Sequence, residues 1–129
     1  MDCLFCKIIN GDIPSKTVYE DELVKVFLDI NPSTNGDMLV VPKKHCENIY
    51  DIDDELLKHM HKVVKDLYDL LKEKLSCEGL TLVQNNGLGQ EIKHYHIHVT
   101  PRYENDLIGI TKNKDLLVDI EDVFEQIKS

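Results

Sequence analysis

The chain has 129 residues, 42% of them apolar and 30% charged, with four cysteines and a formal net charge of −9. This fits one ordinary domain with a real hydrophobic core and leaves no apolar run long enough to span a membrane. The acidic balance argues against an extended nucleic-acid surface, which needs a basic face to displace counterions, but not against a small phosphate ligand. The first residues, Met1-Asp2-Cys3-Leu4-Phe5, lack the basic and apolar regions of a secretory signal, so a cytoplasmic location is expected. There, cysteines are expected as thiols or metal ligands rather than disulfides.

In chain order, residues 2–11 read as a short helix, capped by Asp2 and ended by Gly11. Cys3 and Cys6 then share a face and can grip one metal ion, or serve as two small buried residues. Residues 12–15 form a turn. Residues 17–20 and 23–29 read as two strands joined by a hairpin at Glu20-Asp21-Glu22. A loop rich in turn formers follows at 30–36. Met38-Leu39-Val40-Val41-Pro42 is a third strand, and its unbroken apolar character predicts a central place in the sheet. Residues 53–75 carry Leu56, Met60, Val63, Leu67 and Leu70 at helical spacing, with Asp53 as the predicted N-cap. His59 and His61 flank the apolar stripe and read as solvated. Residues 80–84 are a fourth strand, Asn85-Asn86-Gly87-Leu88-Gly89 is a loop able to expose N–H groups, and a short tail helix is expected from Asp119.

The most informative stretch is His94-Tyr95-His96-Ile97-His98-Val99-Thr100-Pro101. Strict alternation predicts a fifth strand with three imidazoles on one face and Tyr95, Ile97 and Val99 on the other. The outer histidines of such a strand lie about 13 Å apart, so one metal ion cannot take all three. The row must divide its labour: a neighbouring pair can share one ligand while the third works elsewhere. Five strands and one long helix give an α+β fold around an antiparallel sheet.

These residues, with the ordered blocks around Cys3-Leu4-Phe5-Cys6, Asp12-Ile13-Pro14, Phe27-Leu28-Asp29-Ile30-Asn31-Pro32, Pro42-Lys43-Lys44-His45 and Gly89-Gln90, resemble the histidine triad (HIT) family of nucleotide hydrolases and transferases. The resemblance is nearest to the phosphoramidase branch. It implies a single HIT-like domain over residues 1–129, with a short N-terminal helix, one long helix and a five-stranded antiparallel sheet. It also implies a homodimer. The activity it implies is cleavage of purine nucleoside 5′-phosphoramidates, such as adenosine phosphoramidates, to a nucleoside monophosphate such as AMP through a nucleotidyl-histidine. His96 would be the nucleophile and His98 would contact the phosphate oxygens. Gln90 and the backbone at Gly89 would stabilise transition-state charge. Asp29 would hold the ribose, Ile30 and Phe27 would line the base pocket, and Asn85 rather than Asn86 would stand on the phosphate side.

The resemblance further implies a structural zinc held by Cys3, Cys6, His45 and His94, a donor set suited to a closed tetrahedral site. A metal-free hydrogen-bond chain through His45 and His94 is the competing reading. Three positions depart from the family pattern. Asp37 stands where many relatives have histidine, Thr100 fills a usually apolar slot, and Glu91 replaces a serine that in several phosphoramidases assists the leaving group. Other readings are a dinucleoside polyphosphate hydrolase of the same fold, a zinc-stabilised nucleotide-binding or adaptor protein with little turnover, and a catalytic metal centre on the histidine row.

Overall fold

The computed structural model describes residues 3–128. Helix α1 (Leu4–Ile9) leads into strands β1 (Thr17–Glu20), β2 (Val24–Leu28) and β3 (Met38–Pro42). The long helix α2 (Asp54–Leu75) follows, then β4 (Gly79–Val83), β5 (Ile97–Arg102), a 3₁₀ turn (Lys114–Leu116) and α3 (Ile120–Lys128). The strands form one antiparallel sheet in the order β1-β2-β3-β5-β4. β3 is its middle strand, buried throughout, as its apolar run predicts.

Period-two alternation sorts the sheet's side chains onto two different surfaces. On one face Val24, Val26, Met38, Val40, Ile97 and Val99 pack with Leu56, Met60, Val63, Val64, Leu67 and Leu71 of α2. On the other, Phe27, Leu39 and Val41 pack with Cys3, Phe5 and Ile8 from the α1 segment. The long helix therefore covers one face, while the short helix covers only part of the other and leaves room for a cavity. Asp53 caps α2, its carboxylate accepting from the Leu56 N–H at 2.9 Å. Gly36, at φ 94°, sits so close to α2 that an added Cβ would come within 2.7 Å of Leu75 Cδ1.

Several expectations need correction. Asp2 lies outside the described residues, and the N-cap of α1 is Cys3, whose Sγ accepts from the Cys6 N–H at 3.4 Å. The fifth strand begins at Ile97, so His94 and His96 precede it in irregular chain. The β3–β5 ladder stops at Val40↔Ile97. Beyond it, Tyr95 N–H donates to Cys46 O at 2.7 Å, and the His94 ring takes the Pro42 carbonyl at 2.8 Å. The apolar half of the alternation holds: Tyr95, Ile97 and Val99 all lie in the α2-side core. His59 is half-buried rather than solvated, its Nε2 2.7 Å from Asp21 Oδ2 in the β1–β2 turn. His61 is exposed as expected.

Two of the departures noted above meet in space. Asp37 and Thr100 are both buried, and the Thr100 hydroxyl donates to Asp37 Oδ1 at 2.9 Å. Asp37 Oδ2 accepts from Ser33 N–H and its carbonyl from Asp29 N–H. A buried carboxylate is tolerated because each oxygen has a donor. The pair ties the 29–37 loop to β5.

Candidate active site and metal centre

A cavity of about 460 Å³ opens on the α1 side of the sheet. Phe5, Phe27 and Leu39, all buried, line it together with residues 28–31 at the end of β2 and with Asn85, Gly89, Glu91 and Ile92 from the loop before β5. His96 and His98 also line it, their ring centroids 5.0 Å apart. Of the residues expected at a nucleotide site, Phe27, Asp29, Ile30, Asn85, Gly89, His96 and His98 are brought together here.

Gln90 is placed differently. Its side chain is buried, donating to Glu47 O at 2.6 Å and accepting from Gly87 N–H, while its own N–H donates to Gly87 O. It braces the 84–96 loop and is not among the cavity-lining residues. Ile30 is 90% exposed, so it stands at the mouth rather than the floor. Asn86 turns from the cavity to the Ile49 N–H and the Gln84 amide, which leaves Asn85 as the lining asparagine. Phe5 is a cavity-lining position that motif reasoning passed over. Its ring meets His96 edge-on, centroids 4.9 Å apart, and also meets Phe27 at 5.7 Å. Leu39 was legible in principle: it is the ladder partner of His98 and shares its face.

The His96 ring is held by main chain. Its Nδ1 lies 2.7 Å from the His94 carbonyl oxygen. A carbonyl can only accept, so Nδ1 carries the proton and Nε2 of the neutral ring keeps its lone pair. Burial holds His96 below the ordinary imidazole range; the carbonyl bond opposes this shift and His98 adds to it. The buried ring therefore favours the neutral form, in which one nitrogen is nucleophilic.

Behind this pair, four potential ligand atoms from Cys3, Cys6, His45 and His94 lie within 4.8 Å of one another. Cys3 Sγ is 3.3 Å from His94 Nδ1, and Cys6 Sγ is 3.3 Å from His45 Nδ1 and 3.6 Å from His94 Nδ1. The two Nδ1 atoms are 3.1 Å apart. A tetrahedron with Zn–N of about 2.0–2.1 Å and Zn–S of about 2.3 Å has edges of about 3.4 to 3.8 Å, close to this arrangement. The far side of the His94 ring fits too. His94 Nε2–H donates to the Pro42 carbonyl, which leaves Nδ1 bare and aimed at the thiols. Cys6 is pushed up to about 11 by burial and by Cys3 beside it, so its thiolate calls for a cation. Cys46 and Cys77 lie in the α2-side core, away from this cluster.

The fold and this pairing of a cavity of nucleotide size with a closely spaced histidine series define a recognisable class. The HIT domain family model matches residues 10–105. An uncharacterized HIT-like protein of Methanocaldococcus jannaschii is 49% identical over 98% of both chains. An adenosine 5′-monophosphoramidase of Schizosaccharomyces pombe is 36% identical over 79% of this chain and 75% of its own. Among solved structures, a HIT family protein from Bacillus subtilis superposes with a TM-score of 0.85 at 40% identity, covering 99% of this chain and 94% of that one. A Zn-bound histidine triad protein from Mycobacterium smegmatis gives 0.80 at 35% identity, covering 89% and 85%. The chain belongs to the HIT domain family, whose members include named hydrolases of adenosine nucleotides.

Proposed function

We propose that the protein hydrolyses purine nucleoside 5′-phosphoramidates to nucleoside monophosphates through a covalent nucleotidyl-histidine. The observation that carries this reading is the His96 ring, lining a nucleotide-sized cavity beside His98 with its Nδ1 proton committed to the His94 carbonyl. The Nε2 lone pair attacks the α-phosphorus. The P–N bond breaks, and the departing nitrogen takes a proton from solvent. Water then attacks the phosphorus, its hydroxyl joins the phosphate, its proton returns to solvent, and His96 recovers its electron pair. Two modest displacements replace one difficult one.

In this scheme His98 contacts the phosphoryl oxygens, and the N–H of Gly89 donates to them as charge builds. Gln90 acts as a positioning residue for that loop. Asn85 stands on the phosphate side. Asp29 uses Oδ1 for the Asn31 N–H at 2.9 Å, and its other oxygen takes the ribose hydroxyls. Ile30 and Phe27 hold the base. A structural zinc on Cys3, Cys6, His45 and His94 fastens α1, which carries Phe5, to the chain entering β5. The protein acts as a homodimer. Exposed apolar side chains on the edge strand β4 (Leu82, Val83) and on α3 (Ile120, Phe124, Ile127) support an assembly larger than one chain.

The test is rapid quenching with adenosine 5′-phosphoramidate, followed by intact mass measurement. Wild type is expected to show a transient AMP adduct that His96→Ala lacks, together with loss of turnover. Hydrolysis that persists in His96→Ala would remove His96 as nucleophile. Nucleotide binding with neither adduct nor turnover would favour a binding protein instead.

A further inference from the structure

Glu91 lies on the loop wall of the cavity, on a different segment from Asp29 and Ile30. It also borders a neighbouring hollow with Cys3, His45, Glu47 and Lys93. Glu91 thus borders both spaces, and the hollow's carboxylates, Glu47 and Glu91, outnumber its one lysine, Lys93. The Glu91 carboxylate is exposed and makes no hydrogen bond or ion pair with any described residue. Among the described residues lining the cavity there is no lysine or arginine: its ionisable side chains are Asp29, Glu91, His96 and His98. A phosphoryl group here is met by imidazoles and N–H donors, not by fixed cations. A chain of further phosphates would add repulsion from both carboxylates.

We propose that Glu91 is a specificity-determining residue that favours substrates whose leaving group carries positive charge and disfavours anionic leaving groups and polyphosphate chains. The inference rests on the hydrolase reading above. The bond broken is still P–N, and the departing nitrogen is protonated as before. Glu91 contributes an attraction to a second, cationic group on the leaving amine as it enters the hollow.

Three adenosine 5′-phosphoramidates of similar size test it, built on 1,3-diaminopropane, butylamine and β-alanine, which present an ammonium, a methyl and a carboxylate. For wild type, kcat/KM is expected to fall in that order, with steps on the order of tenfold for a charge pair a few ångströms apart in a solvated cleft. In Glu91→Gln the ratio between the ammonium and carboxylate substrates should approach unity, and Glu91→Lys should reverse it. Diadenosine tetraphosphate should be the poorest wild-type substrate and gain most in Glu91→Lys. The ratio is the readout, so a general loss of activity in a variant cancels. An unchanged ratio in Glu91→Gln, with all three substrates turned over, overturns the role of Glu91 alone. Absence of turnover of all three by wild type removes the hydrolase reading and this selectivity with it.

Discussion

At the scale of the residue, Asp37 and Thr100 show how a buried charge is made safe. Each Asp37 oxygen has one donor, and the Thr100 hydroxyl is one of them. Thr100→Val leaves Asp37 Oδ1 unmet and should cost about 1–3 kcal/mol of unfolding free energy. Asp37→Ala with Thr100→Val should cost less than the two singles added together, because the second change removes a group the first had already orphaned. Urea unfolding of the four proteins measures this, and strict additivity would refute the coupling. Both residues stood out in the sequence as departures from family pattern, yet each was visible only singly. Their contact spans 63 residues, and no local spacing announces it. The same holds for the cluster of Cys3, Cys6, His45 and His94. Cys3 and Cys6 were legible as a pair on one helix face, whereas His94 lies 91 residues from Cys3 and entered only through resemblance to a family.

At the scale of the element, the β1–β2 turn is built on one carboxylate. Asp21 Oδ1 accepts from the N–H groups of Leu23 and Val24, and Oδ2 accepts from Tyr19 Oη and His59 Nε2. Burial alone would raise the Asp21 pKa, but these four donors outweigh it and bring the group from 3.8 down to about 2. A depressed carboxylate stabilises the fold above its unfolded pKa, and that stability is lost as pH falls through the folded value. The loss from Asp21 should therefore lie between about pH 4 and pH 2. Asp21→Asn should lower stability at pH 7 and flatten the fall across that window. Urea unfolding at stepped pH checks it, and an unaltered slope would show that Asp21 is not responsible. α2 and β3 were readable because helical spacing and an unbroken apolar run are properties of contiguous residues. The histidine strand was only half readable. Its alternation set the faces correctly, but its start depends on the Cys46 and Pro42 carbonyls, which capture Tyr95 N–H and the His94 ring. His59 was missed for a related reason, because its partner lies in a turn 38 residues away.

At the scale of the whole molecule, the sheet is clamped from one side by α2 and on the other by a short helix that fully buries only Phe5 and Ile8. A six-residue helix is marginal in isolation, so its attachment should depend on the four-ligand cluster. Native mass spectrometry is expected to show a dimer carrying one zinc per chain. Chelation should lower the melting temperature by about 10–20 °C, the scale expected for a ligand held at a thousandfold excess over its Kd. Amide exchange should rise first at Phe5 and Ile8. A chelated protein that melts unchanged would leave the zinc without a structural role. No helix among the described residues is long and apolar enough to cross a membrane. The group that fixes the proton on His96 is a peptide carbonyl, that of His94, and no codon change deletes a peptide carbonyl. His94→Ala strips the imidazole from the thiols and leaves the acceptor in place. Apart from changes to His96 itself, a library of single substitutions will thus register this contact only through variants that shift the path of residues 94–96. The tautomer of His96 is inherited through the course of the backbone, beyond the reach of side-chain scanning at position 94.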